Sequence, residues 1–193
     1  VDSEMCIRDS VWTSWNEKIQ NLIKKAEKEA ISSGNCRYRL GFHIMPPTGW
    51  LNDPNGLCQL GDTYHLFFQY SPLDARGGMK VWGHYMTKDF CHITYAGAPF
   101  VPDEPFDKDG VYSGSTFVDD RGMHIFYTGN VQLSGEHDFT TSGRRADTVL
   151  VESEDGIHFS PKQVVIHTDD YPKHYSCHIR DPKVCLLYTS DAA

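Results

Sequence analysis

Between residues 57 and 160 the chain alternates short runs of β-branched and aromatic residues with tight turn signals, and no helical period separates them. Runs 57–60 and 63–70 flank Gly61-Asp62, and runs 115–118 and 123–128 flank Asp119-Asp120-Arg121-Gly122. Runs 148–153 and 157–160 flank Glu154-Asp155-Gly156, and a further strand is expected from Val184. Each pair is a hairpin signature, because Gly and Asp supply the backbone conformations that reverse a strand within a few residues. Hairpins following one another without helices predict an all-β domain: sandwich, barrel or propeller. Their uneven starts, at 57, 115, 148 and 184, suit propeller blades whose outer strands vary in length.

The N-terminal stretch reads differently. Trp12, Trp15, Ile19, Leu22, Ile23, Ala26 and Ala30 recur at helical spacing among Glu and Lys residues, predicting an amphipathic helix over about 12–32. Ser14 and Glu17 form a candidate capping box, and Ser33-Gly34-Asn35 is the stop signal. The helix mixes both charge signs, so it is expected to pack on its own domain and not on a membrane. The division expected is an N-terminal segment, 1–36, and a β domain, 37–193.

A formal net charge of −8 argues against nucleic acid or an acidic membrane surface as the main partner, since both select a basic face. No run approaches membrane-spanning length, and the start lacks a basic, then apolar, signal peptide. Six dispersed cysteines without a CxxC pair read as free thiols, so a cytoplasmic setting is expected. No nucleotide-binding glycine pattern is present, so no cofactor is expected. His174 and His178 lack a second compact ligand pair and read as polar surface residues, not a metal site. Asp103, Glu104, Asp107 and Asp109 read as a solvated acidic loop.

Two Asp-Pro pairs stand ahead of similar apolar runs: Asp53-Pro54 before Leu57-Cys58-Gln59-Leu60, and Asp181-Pro182 before Val184-Cys185-Leu186-Leu187. Each is first a turn signal. If the segments ahead of the hairpins converge, they bring together Asn52, Asp53, Tyr112, Ser113, Arg180 and Asp181, joined by Gln69 at a strand end and Trp82 in the loop after it. Two carboxylates, amides, a hydroxyl, a guanidinium and aromatic faces are what a small sugar needs: bidentate partners for hydroxyls and a platform for a ring's C–H face. Paired carboxyl groups also perform glycoside hydrolysis. Trp50, Trp82 and Tyr112 also suit core aromatics, though their motif context favours pocket walls, with Trp50 suited to both roles.

Five ordered motifs sharpen this reading. His43-Ile44-Met45-Pro46-Pro47-Thr48-Gly49-Trp50-Leu51-Asn52-Asp53-Pro54-Asn55-Gly56 closely resembles the opening motif of the β-fructofuranosidases of glycoside hydrolase family 32, most of all the bacterial sucrose-6-phosphate hydrolases. Phe67-Phe68-Gln69-Tyr70, Trp82-Gly83-His84, Tyr112-Ser113-Gly114-Ser115 and Arg180-Asp181-Pro182-Lys183-Val184 follow in the family's order. The resemblance implies a five-bladed β-propeller, here about three blades and the start of a fourth, with the family's C-terminal β-sandwich absent. It implies retaining cleavage of the β-fructofuranosyl bond of sucrose 6-phosphate or sucrose. Asp53 is then the nucleophile and Asp181 the transition-state stabiliser, while Asn52, Gln69, Trp82, Tyr112, Ser113 and Arg180 line the fructose pocket.

Two departures stand out. The family more often has Phe where this chain has Tyr112. Its general acid is a glutamate in a downstream Glu-Cys motif, and no Glu follows Glu154 here, so the chain by itself is expected to have little or no hydrolase activity. Residues 1–10 and 186–193 do not continue the pattern. The alternatives are a non-catalytic sugar-binding or inactive fragment and, among enzymes, a secreted invertase or fructan hydrolase.

Overall fold

The computed structural model describes residues 2–32 and 37–186, with side chains from Trp15 onward. Helix α1 spans Asp2–Ser32 and is followed by eight strands: β1 (Trp50–Leu60), β2 (Thr63–Ser71), β3 (Val81–Thr87), β4 (Ile93–Phe100), β5 (Val111–Asp119), β6 (Gly122–Gln132), β7 (Arg144–Ser153) and β8 (Gln163–Ile166). They form two four-stranded sheets, β1-β2-β3-β4 and β5-β6-β7-β8, every neighbouring pair antiparallel. Among the described residues no helix is long and apolar enough to cross a membrane.

Three sequence expectations change at this point. The second and third hairpins lie in one sheet, because β7 pairs with β6 over its whole length, from Gln132 with Arg144 to Met123 with Ser153. Three hairpins therefore make two sheets, not three blades. The partner of β7 on its other side is β8, while 157–160 form the turn leading to it. No strand forms over 181–186, and 187–193 lie outside the described residues.

Period-two alternation places the core. On β2, Phe67 points toward the second sheet and packs with Trp82, Phe100, Val111, Ile125 and Tyr127. Phe68 and Tyr70 point the other way, joining Val81, Ala98 and Val101 beneath Ile19 and Ile23 of α1. The helix is also tied by hydrogen bonds. Tyr70 and Tyr95 hydroxyls both donate to Glu27 Oε1 (3.1 and 2.6 Å), and Gln20 Nε2 donates to the Ala98 carbonyl (2.9 Å). Trp15 and Leu22, expected on the packed face, are about half exposed (47% and 52%), so the contact stripe is narrower than the sequence period suggests. The backbone is helical through Ser14, so no cap forms there, and the stop signal at 33–35 lies outside the described residues.

The acidic loop is a further correction, for Asp107 is fully buried. Lys162 Nζ reaches Asp107 Oδ2 and the Val101 carbonyl (both 2.6 Å) and also Asp103, while the Tyr127 hydroxyl donates to Asp107 Oδ2 (2.8 Å). Burial raises the Asp107 pKa and the Lys162 charge works against that rise. A buried carboxylate survives only when paired and hydrogen-bonded, and here the pair fastens the loop between the sheets to the second sheet.

A histidine pair closes the far side of the junction. His65 Nδ1 and His84 Nε2 are 3.0 Å apart and buried, stacked near Phe67, with His65 lying against Gly156 of the β7–β8 connection. Burial depresses both pKa values, His84 to about 3, with the neighbouring His65 adding to that effect and Asp155 opposing it at His65. The unfolded chain takes up these protons near pH 6.5, so the contribution of His84 is full above 6.5 and is lost as pH falls toward about 3, at about 1.4 kcal/mol per pH unit, and that of His65 is lost in the same direction. Urea midpoints are expected to fall steadily from pH 7 to 4.5, with a shallower slope in His84→Gln. Equal slopes would show that the pair does not set the acid limb.

Candidate active site

The stretch Trp50 to Gly56 is strand, not the turn its Asn-Asp-Pro composition suggests. β1 begins at Trp50, but its register against β2 slips twice, between Leu51 and Pro54 and between Asn55 and Cys58. The slip at Asn52-Asp53 lifts Asp53 out of the ladder, since extra residues in one strand go unpaired and bend it. Gly56 absorbs the second slip at φ +49°, where a Cβ would meet Thr116 Oγ1 at 2.5 Å and the Trp82 ring at 3.1 Å. Asp53 and Asn52 are consequently exposed, and Asn55 between the slips is buried.

Asp53 is held from two sides. Asn52 Nδ2 donates to Oδ1 (2.8 Å), and Ser113 Oγ donates to Oδ2 (2.7 Å). Ser113 lies on β5 of the other sheet, placed by a bulge at Tyr112/Gly114 where the Gly114 Cβ position would fall 1.9 Å from the Phe126 carbonyl. Behind it is Gln69, buried on β2. Its Nε2 donates to the Val81 and Val111 carbonyls (3.0 and 2.9 Å), and its Oε1 faces Ser113 Oγ at 3.2 Å.

Trp82 occupies strand β3, not a loop, and is fully buried. Its ring packs against Phe67, Phe100 and Tyr127 and its Nε1 donates to the Tyr112 carbonyl (3.0 Å), so it offers no face to a ligand. The half-exposed aromatics on this rim are Trp50 and Tyr112. Asn55, which the sequence reading passed over as a turn residue, joins the same network. With its carboxamide oxygen turned to the donors, it accepts from Trp82 Nε1 (3.2 Å) and Gln69 N (3.3 Å), and its NH₂ donates to Ser113 Oγ (3.3 Å).

Asp181 arrives from the far end of the chain. Its N–H donates to Thr128 Oγ1 on β6 (3.1 Å), and the Pro182 carbonyl accepts from Ser115 Oγ on β5 (2.7 Å). Ser113 and Ser115 are two residues apart, so β5 anchors Asp53 and the Asp181-Pro182 segment at points roughly 7 Å apart along the strand. Asp181 takes φ +61°, an uncommon conformation that Asp tolerates better than most residues. Its carboxylate is exposed, and its ion-pair partner is Arg180 Nε at 3.6 Å. Arg144, on β7, donates to the Tyr112 hydroxyl (2.9 Å) and Asn130 Oδ1 (2.8 Å), a contact that sequence spacing gave no means of finding. Among the described residues no cluster of three or more His, Cys, Asp or Glu groups is arranged to hold a metal ion.

Comparison with known proteins shows what the chain is similar to. The description "Glycosyl hydrolases family 32 N-terminal domain" matches residues 43–192, extending into the tail that the motifs left out. Sucrose-6-phosphate hydrolase of Bacillus subtilis (strain 168) is 40% identical over 161 residues, covering 83% of this chain and 32% of that protein. The chain thus spans about a third of the length of the curated relatives it matches. The structure of sucrose-6-phosphate hydrolase from Lactobacillus gasseri superposes with TM-score 0.69 at 31% identity, over 84% of this chain and 32% of that one. The Bombyx mori β-fructofuranosidase superposes with TM-score 0.74 at 27% identity, over 90% and 35%.

Gln69→Ala is expected to leave two buried carbonyls at the sheet junction without donors. The cost is about 2–6 kcal/mol, since each buried group left unpaired costs ~1–3 kcal/mol. Urea denaturation measures it, and a loss below about 0.5 kcal/mol would remove Gln69 from its bridging role.

Proposed function

The chain belongs to glycosyl hydrolase family 32, and from that premise we propose that it forms the nucleophile-bearing part of a retaining β-fructofuranosidase acting on sucrose-type sugars. The single observation that supports this most is the Asp53 carboxylate, exposed on one side while fixed by donors from Asn52 and Ser113 on the other. A nucleophile must be presented at a set angle to the carbon it attacks, and two donors restrict a carboxylate's rotation at no cost in exposure.

In the proposed reaction Asp53 attacks the anomeric carbon of the fructosyl unit, forming a covalent ester as the bond to the leaving sugar oxygen breaks. That oxygen takes its proton from a glutamate assigned to sequence outside these 193 residues. Water then cleaves the ester, with the same acid now acting as base. Asp181, with Arg180 beside it, is assigned the sugar hydroxyls and the positive charge that develops on the ring. Gln69, Trp82 and Asn55 act behind this layer: they position Ser113 and Tyr112 and touch no sugar.

The same proposal extends to the architecture. The two sheets are the first two blades of a five-bladed propeller, and Arg180-Asp181 enters the third. Residues 1–36 are a segment ahead of the propeller, and the family's β-sandwich lies outside the chain. The preferred substrate is sucrose 6-phosphate, the compound for which the Bacillus subtilis and Lactobacillus gasseri relatives are named, and this suits a cytoplasmic enzyme.

Assayed in the complete reading frame that contains this chain, Asp53→Asn is expected to lower kcat by at least about 10³-fold with the melting temperature nearly unchanged. Activity within tenfold of the parent would exclude Asp53 as nucleophile. Asp181→Asn is expected to lower kcat about 10²-fold or more with little change in KM, because its charge acts in the transition state. A rise in KM at constant kcat would assign it to ground-state binding instead.

A further inference from the structure

Four of the cations between the motifs, Arg76, Lys80, Arg144 and Arg145, differ in their partners. Arg76 is almost fully exposed beside Asp74 (3.6 Å), and Arg145 pairs with Asp169 (3.2 Å) near Asp147 (4.0 Å). Arg144 is half-buried and held by neutral oxygens: Nε donates to the Phe139 carbonyl (2.7 Å) and Nη1 to the Tyr112 hydroxyl and Asn130 Oδ1. Among the described residues no carboxylate lies within ion-pair distance of it, and its Nη2 has no acceptor. In a chain of net charge −8 a half-buried guanidinium without an anion is conspicuous, because removing such a charge from water is costly until it is paired.

Its position is equally specific. Tyr112 adjoins Ser113, which binds Asp53, so Arg144 sits at the second link from the proposed nucleophile. The fourth cation, Lys80, reaches the same rim. Its Nζ lies 4.2 Å from the Trp50 ring centroid, and its Cβ and the Tyr112 ring edge meet over Gly110, at 3.2 and 2.8 Å from that glycine's Cβ position. His178 senses the positive field: burial lowers its pKa first, then Arg180 and Arg144, against Asp181. The Tyr112 hydroxyl, the departure from the family's more usual Phe, is the group that aims Arg144.

We propose that Arg144, aimed by the Tyr112 hydroxyl and seconded by Lys80, binds the phosphate of a phosphorylated sugar whose ring rests against Trp50 and Tyr112. This rests on the fructoside reading and deepens it, by naming the side chains that select the phosphorylated over the plain sugar. A planar guanidinium with two free N–H groups matches a phosphate dianion, and such charge-assisted bonds are about twice as strong as neutral ones.

The test is the ratio of kcat/KM for sucrose 6-phosphate to that for sucrose, measured in the complete reading frame. Arg144→Gln is expected to lower the ratio about tenfold or more, Arg144→Lys and Tyr112→Phe to lower it less, and Arg145→Gln to leave it within about twofold. A ratio unchanged in Arg144→Gln, through equal losses on both sugars or through no loss, overturns the proposal and leaves Arg144 a structural tie to Phe139 and Asn130. If the parent hydrolyses neither sugar, the fructoside reading fails and the subsite is read by calorimetry with glucose 6-phosphate and inorganic phosphate. Sugar phosphate binding weakened about tenfold in Arg144→Gln then sustains it, whereas no binding, or binding of inorganic phosphate alone, overturns it.

Discussion

The Gln69 carboxamide is the contact through which the two sheets become one site. It is buried on β2, donates to a carbonyl of its own sheet at Val81 and to one of the opposite sheet at Val111, and turns its oxygen to Ser113. A hydrophobic side chain would fill the volume but strand both carbonyls, and buried polar groups are expensive to leave unmade. Ser113 is therefore presented to Asp53 from a fixed position, and the exposed carboxylate inherits its orientation from a buried amide two layers away.

Much of this was legible because Asn, Asp, Pro and Gly in close succession admit few backbone solutions. The run Asn52-Asp53-Pro54-Asn55-Gly56 pointed to Asp53 from its company alone, and Gly61-Asp62 gave the first hairpin. Other features depend on what lies opposite, which one chain read in order does not reveal. Trp82 in a motif suggests a ligand platform, but Phe67, Phe100 and Tyr127 enclose it. Asp107 in an acidic run suggests a solvated loop, but Lys162, fifty-five positions later, reaches back to it. The second and third hairpins each look like the start of a new unit. Only the full-length pairing of β6 with β7 shows that they share a sheet.

Charge follows the same logic of partners. The chain is acidic overall, and several of its exposed carboxylates serve local turns: the pKa values of Asp89, Asp138 and Asp155 are lowered first by side-chain bonds with His92, Thr141 and His158 and then by backbone N–H groups within four residues. Those charges are spent on the turns of the surface. Lys80, Arg144 and Arg180 stand around the rim that carries Asp53 and Asp181, so a negatively charged chain sets cations beside its proposed catalytic carboxylates. Net charge constrains which extended polyanions bind, but it does not set the field inside a cleft, where a few partly desolvated cations dominate.

The two proposed catalytic carboxylates come from different elements, Asp53 from β1 and Asp181 from the segment after β8, and strand β5 holds both. Asp53 is tied to Ser113, and the segment bearing Asp181 to Ser115 and to Thr128 on the neighbouring strand. Asp181 holds a left-handed backbone conformation that costs an L residue roughly 1–2 kcal/mol unless its surroundings enforce it. The Thr128 and Ser115 bonds on either side of that residue, with Pro182 limiting its alternatives, are what enforce it. A strained turn pinned to the same strand as the nucleophile's partner makes the spacing of the pair a property of one rigid element. Displacing β5 relative to β1 would therefore disturb Asp53 and Asp181 together, and the buried contacts that fix that relation, Gln69 foremost, act on the chemistry without touching the sugar.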